Sequence, residues 1–399
     1  MDKNVQRIRD VQYFGEMGGI VPDINHAATT TFLDPDDMEK VFRGELEDHY
    51  LYGRHSNPTV NMFSKKLAAM ESMQAAIGVA SGMAAIACTV EQILIDGGHI
   101  ISSNTIYGGT YALFNNILSK RGIKVTFVDP SDLQAFENAI TPETKLIYTE
   151  SVSNPLLAIS DLNSLGNLAR KNGIKLVVDN TFTPLIITPA KYGADVVVHS
   201  CTKYLSGAGD LIGGAICADR EFIDSLRDLN TGMSMLYGPV MDPRVAYVLY
   251  SRLDHLHLRM KAHSNCTMYL VNKMKEEGIE GIIYPGLPEH PQHELMKEMA
   301  NPGYGYGGII TLDLGTMDKA KQLAQLLQEE QFGLFAVSLG FSRTLMSCPS
   351  ASTSSEIPED EQKKIGLKPG LIRFSIGFTG DDEVMTRRFL NCYRQVFNN

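Results

Sequence analysis

The chain has 399 residues, 44% of them hydrophobic and 21% charged, with a formal net charge of −10. This composition excludes a disordered chain, and the length allows two or three domains. The acidic balance argues against sequence-independent binding to nucleic acid or anionic lipid.

Residues 1–57 have weak periodicity and turn signals such as Met17-Gly18-Gly19 and Asp34-Pro35, so they read as an extended arm that lies on another surface. The arm ends in Tyr52-Gly53-Arg54-His55-Ser56-Asn57-Pro58-Thr59. Asn57 and Pro58 suit an N-cap and a first helical position. Val60, Phe63, Leu67 and Met70 follow at helical spacing. From residue 75 strands and helices alternate. Strands are predicted at 75–80, 99–103, 123–128, 145–149, 174–179 and 194–199, with Gly122 and Gly173 ending helices and Ser160 capping one. Such alternation predicts an α/β fold with a mostly parallel sheet and helices on both faces. Past residue 260 the texture changes. A charged helix over 261–275 precedes a Pro/Gly/His-rich loop over 284–308. A strand (309–314), a helix (318–330), a strand (335–339), a long polar loop, a strand (371–376) and a last helix complete a smaller α+β unit. The expected division is an arm (1–57), a large domain (58–258) and a C-terminal domain (259–399).

Some features are set aside. Gly303-Tyr304-Gly305-Tyr306-Gly307-Gly308 matches a dinucleotide fingerprint but opens a strand instead of a helix, so it reads as a loop. His255, His257 and His263 do not share one helical face and read as solvated positions, not metal ligands. The six cysteines form no Cys-x-x-Cys pair and read as reduced, buried thiols of a cytoplasmic protein. No signal peptide, membrane span or metal site is expected.

Candidate chemistry centres on Lys203, in Ser200-Cys201-Thr202-Lys203-Tyr204-Leu205-Ser206-Gly207, just past a strand end. Ligand sites of open α/β sheets lie at the carboxyl ends of strands. A lysine shielded from water there can be partly neutral and nucleophilic. Asp179 ends the preceding strand; it either begins a turn with Asn180 or keeps a pyridine nitrogen protonated. Ser81-Gly82-Met83 turns a strand into a helix whose first N–H groups can bind phosphate, with Ser200 and Thr202 as further donors. Tyr107-Gly108-Gly109 follows another strand end, and its tyrosine can stack on a flat ring, relay a proton or simply line a rim. Arg373 sits inside an apolar strand and needs an anion, either a substrate carboxylate or a structural partner.

These stretches, with Val178-Asp179-Asn180-Thr181, Ala336-Val337-Ser338-Leu339-Gly340 and Leu371-Ile372-Arg373-Phe374-Ser375, resemble the cysteine/methionine-metabolism family of enzymes dependent on pyridoxal 5′-phosphate (PLP). The resemblance spans residues 19–397. It implies a fold-type I, aspartate aminotransferase-like PLP-binding domain. It also implies a cytoplasmic lyase of sulfur amino acids, acting by α,γ-elimination on methionine, homocysteine or cystathionine. Cystathionine β-lyase and γ-replacement on O-acylated homoserine are the alternatives. By position, Lys203 would bond the cofactor and later move protons, aided by Tyr107. Asp179 would pair with the ring nitrogen and Tyr107 would stack on the ring. Gly82, Met83, Ser200 and Thr202 would hold the phosphate. Tyr52 and Arg54 would reach a neighbouring subunit's cofactor, making a homo-oligomer, usually a tetramer of two dimers. Asn154, Ser338 and Arg373 would hold the substrate carboxylate. Gly109 stands where methionine γ-lyases usually carry Cys, and Val337 where many cystathionine γ-lyases carry Glu.

Overall fold

The computed structural model describes residues 3–11, 19–43, 45, 46, 49–352 and 358–397. Among these, the apolar runs condense into two sheets. The first contains β1 (Ala75–Val79), β2 (His99–Ser103), β3 (Lys124–Val128), β4 (Thr144–Glu150), β5 (Lys175–Asp179), β6 (Val196–Ser200) and β7 (Gly214–Ala218), in the order β1-β7-β6-β5-β4-β2-β3. Strands β2 to β6 pair in parallel, and β7 runs antiparallel to both of its neighbours. Alternate residues enter two separate cores. Ile147, Val178 and Val197 face one, while Tyr148, Val177 and Val198 face the other. Burial on both faces explains why these strands read as continuous apolar runs.

The second sheet holds β8 (Ile282–Ile283), β9 (Ile309–Asp313), β10 (Leu334–Phe335), β11 (Leu345–Ser347) and β12 (Leu371–Ser375), in the order β10-β11-β12-β9-β8. Leu323 and Leu327 of helix Met317–Glu329 and Phe389 of helix Asp382–Phe397 pack on it with Ile310 and Phe374. Helix Leu256–Glu276 joins the two layers. Its Leu256 and Met260 enter a core of the first sheet, and its Leu270, Val271 and Met274 enter the core of the second.

The structure departs from expectation in several places. The arm contains two helices, Lys3–Asp10 and Pro35–Phe42; Ile8 joins the core that holds Phe63 and Leu67, and Asp34 caps the second helix. Met17 and Gly18 lie outside the described residues. Asp161, not Ser160, caps helix Leu162–Asn172, accepting the Ser164 N–H at 2.9 Å; the Ser160 hydroxyl donates to the Glu150 carbonyl instead. Strand pairing ends at Phe335, and Ser338 turns the chain with φ at 98°. The 284–308 stretch holds a helix, His293–Met299, before the expected glycine loop. His263 is buried, not solvated: its Nδ1 bonds the Ile376 carbonyl at 2.6 Å and its ring packs edge-on to Tyr204 and Phe378. The cysteines are unpaired, and all but Cys266 are buried. No described helix is long and apolar enough to cross a membrane.

Gly166 gives a test of the packing of helix Leu162–Asn172 on the short turn Pro189–Tyr192. Alanine is a better helix former than glycine by about 1 kcal/mol. A Cβ there, however, would lie 1.9 Å from the Tyr192 carbonyl oxygen. The clash dominates, so Gly166→Ala is expected to lower stability by roughly 1–3 kcal/mol in denaturant unfolding.

Candidate active site

The carboxyl ends of β1, β4, β5 and β6 open on one cavity of about 310 Å³. Ser81 ends the turn after β1 and caps helix Gly82–Ile93, its Oγ accepting the Ala84 N–H at 3.1 Å. The N–H groups of Gly82 and Met83 lie in the first turn, where no intrahelical carbonyl serves them. The turn packs closely on the end of β6: a Cβ on Gly82 would sit 2.7 Å from the Ser200 Cβ. Thr202 Oγ1 accepts the Gly213 N–H at 3.2 Å. Helix terminus, Ser200 and Thr202 line the same cavity, which makes a cradle for an anion.

Lys203 is half-buried beside this cradle, and its Nζ donates to Ser338 Oγ at 2.8 Å. Burial, aided by the positive charge of Arg373, pushes its pKa down to about 8. Ser338 reaches the lysine because its positive φ turns it out of strand pairing. Asp179 is buried at the end of β5 and accepts the Thr181 N–H at 2.9 Å and the Tyr148 hydroxyl at 3.4 Å. Burial raises its carboxyl above the usual range. Among the described residues no lysine or arginine donates to it, so it has room for a cationic partner.

Arg373 is 1% exposed. Its guanidinium donates to Ser338 O at 2.6 Å and Asn154 Oδ1 at 3.2 Å, while Nε has no partner. No described carboxylate bridges it, which removes the structural salt bridge. A buried cation that lines a cavity and has no anionic partner calls for an anionic ligand. Tyr107 stands at the rim, 42% exposed, with its backbone N–H on Glu150 Oε1 at 2.7 Å. Its ring folds over Gly109, where a Cβ would lie 2.5 Å from the ring.

Tyr52 and Arg54 are not brought to this cavity. Arg54 bonds the Met235 carbonyl at 3.0 Å, its guanidinium stands 5.7 Å from the Tyr52 ring, and Tyr52 is half-exposed. Sequence reasoning also missed residues that line the cavity, Glu150 and Thr181 among them. Thr181 Oγ1 accepts the Ser200 N–H at 2.7 Å and ties β5 to β6. Glu150 had a signal, an acid closing an apolar strand, as Asp179 does.

The sequence matches the family described as Cys/Met metabolism PLP-dependent enzyme over residues 8–386. The chain belongs to that family. It is 44% identical to a methionine gamma-lyase of Arabidopsis thaliana, over 96% of this chain and 88% of that one. It is 36% identical to an L-methionine gamma-lyase of Pseudomonas putida, over 92% and 91%. A Campylobacter jejuni structure described as an O-acetylhomoserine (thiol)-lyase, bearing a pyridoxyl-lysine phosphate residue, superposes with a TM-score of 0.89 at 28% identity over 99% of this chain and 100% of that one. This PLP-dependent enzyme therefore acts in sulfur amino-acid chemistry. Its cavity fits the cofactor. A buried acid lacking a cation suits the ring nitrogen, a helix terminus with two hydroxyls suits the phosphate, and an amine of lowered basicity suits the aldehyde.

Proposed function

We propose that the enzyme is a carbon–sulfur lyase catalysing α,γ-elimination. It would take methionine, homocysteine or cystathionine with water and release 2-oxobutanoate, ammonia and a thiol, or hydrogen sulfide in the case of homocysteine. The observation that carries this reading is the pairing of the Arg373 clamp with a set of apolar side chains on the same cavity. Ile86, Val152, Phe182, Ile212, Val337 and Leu339 face the same cavity and suit an uncharged thioether tail.

PLP, when bound, supplies an electron sink for charge developing at the α-carbon. In this reading Gly82, Met83, Ser200 and Thr202 hold its phosphate, Asp179 its ring nitrogen, Tyr107 its ring face and Lys203 its aldehyde carbon. Lys203 Nζ, freed when the substrate amine takes its place, would take the α-proton and then a proton from the β-carbon, which lets the γ-sulfur leave; with a pKa of about 8 the freed amine keeps a usable neutral fraction near neutral pH. Tyr107, within reach of the rim, gives a proton to the departing sulfur. Arg373, Asn154 and Ser338 hold the substrate carboxylate and fix the amino acid's orientation. Tyr52 and Arg54, turned away from their own chain's cavity, reach the cofactor phosphate of a neighbouring subunit. The active unit is then at least a homodimer, and in the full reading a tetramer of two dimers. Unpaired thiols fit a reducing cytoplasm. The division at about residues 57 and 258 completes the reading, with helix Leu256–Glu276 as the joint between the two larger parts.

A substrate panel tests it. Methionine, homocysteine and cystathionine are each incubated with the PLP-loaded enzyme, and 2-oxobutanoate, pyruvate and thiol are measured. The expected product is 2-oxobutanoate with thiol. Pyruvate from cystathionine alone would mean β-elimination. Thioether synthesis from O-acylhomoserine and thiol with negligible oxo acid would mean γ-replacement.

A further inference from the structure

Three neighbouring strands of the first sheet, β5, β4 and β2, end on the cavity side with Asp179, Glu150 and, four residues past β2, Tyr107. Glu150 and Asp179 are in direct register across the parallel β4–β5 pair, so their side chains leave the sheet on the same face. Glu150 is 8% exposed. Its Oε1 accepts the Tyr107 N–H at 2.7 Å. One side chain thus joins the start of the Tyr107 turn to the end of β4, beside Asp179. We propose that Glu150 is a positioning residue that fixes Tyr107 against the carboxyl end of β4. This rests on the reading above in one respect, that Tyr107 meets the substrate.

The form of Glu150 that does this is the neutral acid. Burial raises its carboxyl well above the usual range, and the charge of Asp179 raises it further, against the Tyr107 N–H that it accepts. Tyr148 faces it from its own strand; Tyr107 stands at the rim, and Lys203 and Arg373 line the same cavity. A neutral acid accepts an N–H through its carbonyl oxygen, and so does an amide of the same shape. Glutamine can therefore take over the tether, whereas alanine cannot.

The test compares wild type, Glu150→Gln and Glu150→Ala in two ways. In turnover of the best panel substrate, Glu150→Ala is expected to lose roughly 30-fold or more in kcat/KM, mostly in kcat because Tyr107 is misplaced. Glu150→Gln is expected to recover to within about fivefold of wild type. The second readout is thermal unfolding without cofactor at pH 5 and pH 8. A carboxyl raised in the folded state costs stability increasingly as pH rises above its unfolded value, and glutamine carries no such cost. Glu150→Gln is thus expected to melt at or above wild type at pH 8, with the advantage shrinking at pH 5. Two results would overturn the proposal: Glu150→Gln as impaired as Glu150→Ala and less stable than wild type at pH 8, or Glu150→Ala with full kcat. If wild type releases no oxo acid from any sulfur amino acid, the functional reading fails, and the melting comparison still decides whether Glu150 is a neutral tether.

Discussion

Lys203→Ala is expected to keep its fold and lose turnover by at least about 10³-fold, since a positioned proton-transfer group alone contributes 10²–10⁴. The fold has little at stake in this side chain. Among the described residues its side chain makes one polar contact, with Ser338, and a buried amine of lowered basicity adds little to stability. The proposed chemistry depends on it, because among the described residues lining the cavity the other cation, Arg373, cannot exchange a proton near neutral pH. Oxo-acid release measures the loss, and far-UV circular dichroism with a melting curve checks the fold. Activity within tenfold of wild type would place the base elsewhere.

Arg373→Gln is expected to lower kcat/KM by about 10²-fold, chiefly through KM. A charge-assisted bond to a carboxylate is worth roughly 1.5–3 kcal/mol, and a two-point clamp sits at the upper end. The same change has a second, independent consequence. The Arg373 charge helps hold Lys203 down at about 8, so its removal lets the lysine pKa rise. The base works in its neutral form, present above its pKa. The acidic limb of the pH profile of kcat, which reports the substrate complex in which Lys203 is free, is therefore expected to move to higher pH. Stability should change little or improve, since a buried guanidinium with no anionic partner and an unsatisfied Nε is itself costly. Arg373→Lys should not rescue fully, because an ammonium cannot reproduce the forked donation to Ser338 O and Asn154. Steady-state kinetics over pH 6–9 reads both effects.

The parts legible in the sequence were those written in local context. Lys203 past an apolar strand, Asp179 closing one, and Ser81-Gly82 between strand and helix all declare a strand end in four or five residues. The parallel sheet followed from the same alternation. What stayed hidden depends on distant partners. Strand β7 reads Gly-Ala-Ile-Cys-Ala and carries few strand-favouring side chains, yet β1 and β6 sandwich it. Ser338 read as part of a strand, and only its positive φ aims the hydroxyl at a lysine 135 positions away. His263 looked like a surface residue of a charged helix until Tyr204 and Phe378 closed over it. Glu150 gained meaning from the order of three strands, which no single segment encodes.

The central claim is elimination at sulfur by a PLP site organised around Lys203. It is tested most directly by following methanethiol and 2-oxobutanoate together from L-methionine, with wild type and Lys203→Ala side by side. The account predicts equal amounts of the two products from wild type and none above background from the variant. Wild type releasing 2-oxobutanoate from neither methionine, homocysteine nor cystathionine, or both proteins releasing the products at the same rate, would contradict it.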